Sequence, residues 1–478
     1  MHGMIAMDSL YLGVDMGTSS MKATVADARG ETVWRTSRRT GILNPRPGFF
    51  EVDTENAWWG NFLSICAELK SAGLSERISG LCVSSVCATF LPVDGGCKPL
   101  HNAILYGIDT RAVGIADGLN ARFGADFLDE KLGGRFSAQS ILPKILWLKR
   151  ELPDVYAAAR AFVPSYDAVN SRLTGKAAWD VPTAFGALLL EIATLDYPSG
   201  LLSDCGVDAD KMPPVKGALS SLAPLSALGA SATGLREEIP VMTGTGDINA
   251  EAMSAGAADV GTATVTLGST ISMLLNCAQP VRARGFISGA SVKDGTWRIG
   301  AATTCGGLFL DAARAKYGFA SVPEKPTGIF CLPYENGARC PYNNPNARAG
   351  LFGAENRAAS DISQAACETI GYDVALLIDK ASRAHPFPES VHLTGGLCRD
   401  AALVQLIADI TGKRMLVHSA SDASYGSALI ASGAGSGVYP DVAPDYAAEP
   451  DAARSAAYAP LKDEYIALCD RVAGTRND

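Results

Sequence analysis

The chain has 478 residues, of which 47% are apolar and 19% charged, with a net charge of −9. That length calls for two or three domains with large cores and leaves no room for global disorder, and the negative balance argues against gripping nucleic acid through an overall field. No apolar run reaches bilayer-spanning length, Met1–Met7 lacks a basic-then-apolar signal pattern, and twelve scattered cysteines without a Cys-x-x-Cys pair, beside five histidines, fit free thiols in a cytoplasmic enzyme better than disulfides or zinc.

In chain order, Tyr11–Val14 and Met21–Ala26 read as two strands around the polar turn Met16–Ser20. Gly17, Thr18 and Ser19 in that turn offer backbone N–H and hydroxyl donors to an oxyanion, most naturally a phosphate. Asp15 beside a phosphate is repulsive unless a cation lies between them, which implies magnesium there. The same pattern also serves an ordinary surface hairpin, so the rest of the chain has to decide. Glu31–Arg35 follows as a third strand. Asp53 or Thr54 caps a helix whose Trp58, Phe62, Ile65 and Leu69 recur at helical spacing. Ile78–Val86 and Phe90–Val93 are strands, which makes the start of a mixed α/β domain.

An apolar strand over Ala103–Tyr106 then runs into Asp109 and Arg111, where an open α/β sheet usually binds small ligands. Asp109 can accept sugar hydroxyls and Arg111 can orient it or a substrate oxygen. A helix-capping Asp with a solvated Arg is the competing reading. Leu142–Glu151 is an amphipathic helix, Phe162–Tyr166 a strand, and a further helix runs through Val169 and Leu173 to Gly175. Residues 196–238, rich in Pro, Gly, Ser and Ala, read as the transition between an N-terminal domain over 1–238 and a C-terminal one over 239–478.

The second half opens with the strand Ile239–Met242 leading to Asp247 between glycines, where backbone can approach a ligand closely and present one carboxylate. A second hairpin, Ala263–Leu267 and Ile271–Leu275 around Gly268, Ser269 and Thr270, repeats the opening theme and suggests a duplicated architecture holding a nucleotide. Trp297–Ala301 and Gly328–Leu332 read as strands, and Gly306–Tyr317 and Ser360–Lys380 as helices. The strand Ser390–Thr394 ends in Gly395 and Gly396 before a helix over Asp400–Thr411, which suits the adenosine and α-phosphate end of a nucleotide or a plain tight turn. Lys413–Val417 gives one more strand and Ser424–Ser432 an Ala/Gly-rich helix built for close packing. The tail 456–478 carries Tyr458, Leu461, Tyr465 and Leu468 on roughly one face and is expected to dock.

Taken together and in order, GVDMGTSSMK, VDTENAWW, ILYGIDTRA, PKILWLKRE, GTGDINA, TLGST, GARCPYNNPNARAGLFG, LTGG and ASYGSALIAS resemble the FGGY carbohydrate kinases, ATP-dependent sugar kinases of the actin/hexokinase/Hsp70 superfamily. The resemblance implies an α/β fold of two ribonuclease-H-like lobes, the first for sugar and phosphate and the second for nucleotide, with an interlobe cleft. It places Asp15, Gly17, Thr18 and Ser19 on a first phosphate loop, with Asp15 on the magnesium side. Gly268, Ser269 and Thr270 fall on a second phosphate loop, and Gly395 and Gly396 on an adenosine loop. Asp247 falls on the general base, and Asp109, Arg111, Asp247 and Asn249 on the substrate side. The cofactors so implied are ATP and Mg2+. The expected partners are a small sugar and, in assembly, a second copy of the chain, with neither nucleic acid nor membrane.

The substrate side departs from the family. Val86-Cys87-Ala88-Thr89 stands where many xylulose kinases carry Gln-Met-His-Gly, Ile248 follows the catalytic Asp where Asn or Gln is usual, and Tyr106 replaces a Trp. The pattern looks closest to the xylulose-kinase-like branch, so D-xylulose or another ketopentose is the first expectation, with ribulose, glycerol and erythritol as alternatives. An actin- or Hsp70-like ATPase and a sugar-binding regulator are competing classes, against which the retained Asp15, Thr18, Asp109 and Asp247 speak.

Overall fold

A computed structural model describes residues 9–474, so Met1–Met7 and the last four residues of the expected tail lie outside the described residues. Two compact units emerge. The first comprises 1–254, 290–295 and 422–442, the second 255–289, 296–421 and 443–478.

The first unit is built on a seven-stranded sheet. Strands β1 (Leu10–Met16), β2 (Ser20–Asp27) and β3 (Thr32–Arg39) form an antiparallel meander, and β3 is an edge whose arginines 35, 38 and 39 discourage further pairing. Helix α1 (Asn61–Ser71) buries Phe62, Ile65 and Leu69, as their spacing predicts. The π-helical turn Thr54–Gly60 before it is capped by Asp53, which accepts from the N–H groups of Glu55 and Asn56 at 2.9 Å. Strand β4 (Ile78–Ser85) lies parallel to β1, Asp15 opposite Ser84 and Met16 opposite Ser85. Both strands are buried almost throughout, the mark of a sheet covered on two faces. One cover comes from far along the chain: helix Ala423–Ser432 packs on β1 so closely that a Cβ on Gly13 would meet the Ser424 carbonyl at 2.1 Å.

Residues 196–238 are not a transition. Ser221–Pro224 pairs with β5 (Pro240–Met242), and β5 and β6 (Thr245–Gly246) both lie parallel to β4. Helix α2 (Asp247–Ser254) packs on Ala423–Ser432. The first unit therefore runs on to Ser254, and the division expected at 238/239 is not where the contacts divide. Sheet pairing outweighs the loop-like composition of that segment, which itself holds only short elements.

The second unit repeats the plan. Strands β7 (Ala263–Leu267), β8 (Ile271–Cys277) and β9 (Trp297–Ala302) are antiparallel neighbours, and β10 (Ser390–Thr394) pairs parallel with β7. Helix α3 (Gly307–Tyr317) and the long helix α4 (Ala359–Ser382) pack together beside this sheet. The end of the long loop is a strand after all: Gly350–Phe352 pairs with Phe330–Leu332. The tail forms a helix over Ala452–Ala473 that docks within this unit, with Tyr465 stacked on Tyr372 at 5.1 Å between ring centroids and the Tyr458 hydroxyl donating to Glu368 at 3.0 Å. All twelve cysteines are free. Among the described residues no helix is long and apolar enough to cross a membrane.

Candidate functional site

The carboxyl ends of parallel strands collect the expected site residues, as open α/β sheets do. In the first unit β1 delivers Asp15, β4 delivers Ser84 and Ser85, and β6 delivers Gly246 just before Asp247 opens α2. Ser84 Oγ donates to Asp15 Oδ1 at 3.0 Å. Asp15 is held well above the usual carboxylate range, first by burial and then by the charge of Asp247, with Glu251 adding to the effect and Ser84 and Lys22 opposing it. Two acids therefore share one low-dielectric pocket.

Asp247 is pushed up to about 6, chiefly by burial, against three donors that favour its charged form: the Ile248 N–H, the Cys87 thiol and its own N–H. The Ile248 N–H donates to Oδ1 at 2.9 Å and the Cys87 thiol to the same oxygen at 3.6 Å. Two residues on from Asp247, Asn249 is buried and donates to Thr245 Oγ1 at 2.8 Å, and Thr245 donates to Asp180 at 2.7 Å. Asn249 thus belongs to the network that anchors β6 and α2. The turn after β1 is closed by the Gly17 N–H on the Ser20 carbonyl at 3.0 Å, which leaves Thr18 and Ser19 at its tip, Ser19 exposed.

Asp109 and Arg111 lie in the loop after the strand Ala103–Ile104, where the sequence places them, but their side chains turn inward. Both side chains are fully enclosed. Arg111 donates through Nε to both Asp109 oxygens at 3.0 Å and through Nη2 to Asp109 and Glu51 at 2.8 Å, while the Phe50 N–H donates to Asp109 at 2.7 Å. The guanidinium lies over the rings of Phe49 and Trp147, 4.3 and 4.8 Å from their centroids. Lys144, buried and pushed down to about 7 by burial, donates to the carbonyls of Leu105 and Tyr106. The Asp109 carboxylate is spent on these internal bonds, so it braces the loop after Ala103–Ile104 and does not present itself to a sugar hydroxyl. Capping and solvation, the competing reading for the pair, also give way to this enclosed ion pair.

In the second unit β7 and β10 lie side by side, Thr266 and Thr394 sharing a hydroxyl contact of 2.9 Å, so Gly268–Thr270 and Gly395–Gly396 leave one sheet edge together. The N-terminus of α3 closes on the first of these loops: Gly307 N–H donates to Gly268 O at 2.8 Å and Leu308 N–H to Ser269 O at 3.1 Å. Gly395 has φ +97°, and a Cβ there would stand 2.6 Å from the Leu267 carbonyl. Gly395→Ala is accordingly expected to destabilise the protein by roughly 1–3 kcal/mol. Thermal unfolding of that variant reads the effect, and a wild-type value would show the loop unconstrained.

Sequence reasoning missed Ser84 and the contact of Cys87 with Asp247. The signal for Ser84 was its place at a strand's carboxyl end; the Cys87 contact joins segments far apart in sequence.

Comparison with known proteins bears on the whole chain. The family model described as "FGGY family of carbohydrate kinases, N-terminal domain" matches residues 10–254, and that of the C-terminal domain matches residues 314–434. The xylulose kinase of Escherichia coli (strain K12) is 26% identical over 96% of this chain and 98% of its own length. A glycerol kinase of Shewanella sp. (strain ANA-3) is 28% identical over 88% of this chain and 89% of its own. The crystal structure of xylulose kinase from Rhodospirillum rubrum superposes with a TM-score of 0.86 at 22% identity, covering 97% of this chain and 98% of that one, which establishes the likeness of fold.

Proposed function

Because the chain belongs to the FGGY family of carbohydrate kinases and is thereby an ATP-dependent sugar kinase, we propose that it phosphorylates a small ketopentose, D-xylulose first among them, with Asp247 as general base. The observation that carries the role of Asp247 is its placement just past the carboxyl end of β6, half-buried and raised to about 6, near the pH at which a base works best. Phosphoryl transfer is mostly alignment and charge cancellation, and little covalent work falls to the protein. The acceptor hydroxyl gives its proton to a free carboxylate oxygen of Asp247 as its oxygen bonds the γ-phosphorus, and ADP leaves with the electron pair of the broken bond. Gly17, Thr18, Ser19, Gly268, Ser269 and Thr270 are assigned to the phosphates, and Gly395 and Gly396 to the adenosine. Asp109 and Arg111 shape the acceptor side by holding its loop, and Asn249 by anchoring the base.

A divalent cation suits Asp15. Burial and the charge of Asp247 both press that carboxyl toward protonation, and a hard cation on a carboxylate oxygen removes the conflict. Among the described residues no group of three or more His, Cys, Asp or Glu side chains is arranged to hold a metal, so phosphate and water oxygens would complete the shell. Magnesium bound with ATP supplies charge neutralisation on the transferring group. Free thiols throughout are in keeping with a cytoplasmic location.

D-Xylulose is favoured because the E. coli relative of that name aligns over nearly the full length of both chains. Glycerol kinases among the relatives keep polyols in view. A coupled ADP-release assay with Mg-ATP over D-xylulose, L-xylulose, D-ribulose, glycerol and erythritol is expected to give its highest kcat/KM with D-xylulose. A polyol at the top would move the assignment, and an ADP rate independent of every acceptor would favour the ATPase class.

A further inference from the structure

The segment Val86–Thr89, where the chain departs from its family, reaches the base directly. The Cys87 thiol touches Asp247 Oδ1 at 3.6 Å, and it also presses on Gly246, where an added Cβ would lie 2.6 Å from the sulfur. On the other side of Gly246, its N–H donates to Thr183 Oγ1 at 3.1 Å. Glycine at 246 is therefore the room that the thiol needs to reach the carboxylate.

Cys87 is itself held from outside. Gln139 Nε2 donates to the Cys87 carbonyl at 3.3 Å, and Gln139 Oε1 accepts the Gly107 N–H at 3.0 Å. A Cβ on Gly107 would come 2.8 Å from that same Oε1. One amide thus spans two loops, that after β4 and that after Ala103–Ile104, and uses both of its ends in doing so. The second loop is the one braced by Lys144 and the Asp109–Arg111 pair.

We propose that Gln139 and Cys87 form a positioning relay, in which the Gln139 amide locks the acceptor-side loop to Cys87 and the Cys87 thiol fixes one oxygen of Asp247, leaving the other to take the acceptor's proton. The inference rests on the reading of Asp247 as base. The thiol is a weak donor and therefore orients the carboxylate while lowering its basicity little. Asp247 and Asp15 act on each other by charge, and the further charges that act on Asp15 come from several elements: Glu251 one turn along α2, and Lys22 on β2, which pairs with Asp422 at the start of Ala423–Ser432 at 3.8 Å. None of these changes when Cys87 or Gln139 is replaced, so a shift in the acid limb reports the relay.

The test is the pH profile of kcat/KM for wild type, Cys87→Ala, Cys87→Ser, Gln139→Ala and the double alanine variant, with whichever sugar in the panel above the wild type turns over fastest, and with thermal unfolding to verify folding. Cys87→Ala is expected to move the acid limb up by about 0.5 pH unit and to lower kcat about 3–10-fold, since one donor to the charged form is lost. Cys87→Ser, which keeps a donor, is expected to restore both. Gln139→Ala is expected to lower kcat with little change in the KM for Mg-ATP, and the double variant to fall no further than the weaker single one, as coupled residues do. An unmoved limb in Cys87→Ala, or additive losses in the double variant, overturns the relay. If the wild type itself shows no acid limb, the base assignment falls instead, so the two failures are distinct.

Discussion

Asp247→Ala is expected to lower sugar phosphorylation by about 10²–10⁴-fold while Mg-ATP binds nearly as in the wild type. The expectation follows from position. Asp247 is the first residue of α2, whereas Asp15, on which its charge acts, belongs to β1, and the groups assigned to the nucleotide are other residues. On the proposed roles, removing it takes away the proton acceptor and leaves the loops assigned to the phosphates intact. Turnover against nucleotide affinity, measured on the same preparation, separates the two, and near-normal turnover would sink the assignment. The pH profile gives an independent reading. Because burial raises Asp247 to about 6, wild-type kcat/KM is expected to fall as pH drops through that value. The same shift has a stability consequence of definite sign. The folded carboxyl binds its proton more tightly than the unfolded chain does near 3.8, so its contribution to stability is complete below about pH 4 and lost as pH rises through about 6. Asp247→Asn is therefore expected to melt higher than wild type at pH 7.5 and alike at pH 4, stable but inactive.

Arg111→Ala is expected to have the largest effect on folding, a loss of about 3–5 kcal/mol, because it leaves Asp109 and Glu51 without their counter-charge in the interior. The side chain has no exposed surface and makes bonds to two carboxylates while lying across two aromatic rings. Lysine offers a point charge without the planar fork or the stacking surface, so Arg111→Lys is expected to recover only part of the loss. Denaturant midpoints of the two variants measure this. A wild-type midpoint in Arg111→Ala would show that the enclosed ion pair contributes nothing. What survives folding in Arg111→Lys should show a raised acceptor KM and an ordinary nucleotide KM, since the pair braces the loop after Ala103–Ile104.

Much of the fold is legible along the chain because its strands are local in their signals. The hairpin of β1 and β2, the run Ile78–Ser85, the strand Phe90–Val93 and the cap at Asp53 all follow from apolar patterning and turn chemistry within a few residues. The Ala/Gly-rich composition of Ala423–Ser432 announces close packing, but nothing local says that its partner is β1, some four hundred residues earlier. Residues 196–238 mislead for the opposite reason: their composition is that of a linker, and only the pairing of Ser221–Pro224 with β5 makes them part of a sheet.

By itself, then, the sequence determined the kinase class, through nine motifs in the family's order, and it located the two hairpins and the carboxylates Asp15 and Asp247 that are proposed to serve it, because each is a short motif carried by adjacent residues. Tertiary structure alone decided what the other polar groups do. It turned Asp109 and Arg111 inward as a brace, gave Asn249 to the network that anchors β6 and α2, and set Cys87 and Gln139 against Asp247 and Gly107. Those assignments depend on which side chain faces which across parallel strands and their following loops. A carboxylate looks the same in sequence whether its partner is an arginine in the interior or a hydroxyl of the substrate, and only burial and the partner's position tell the two apart.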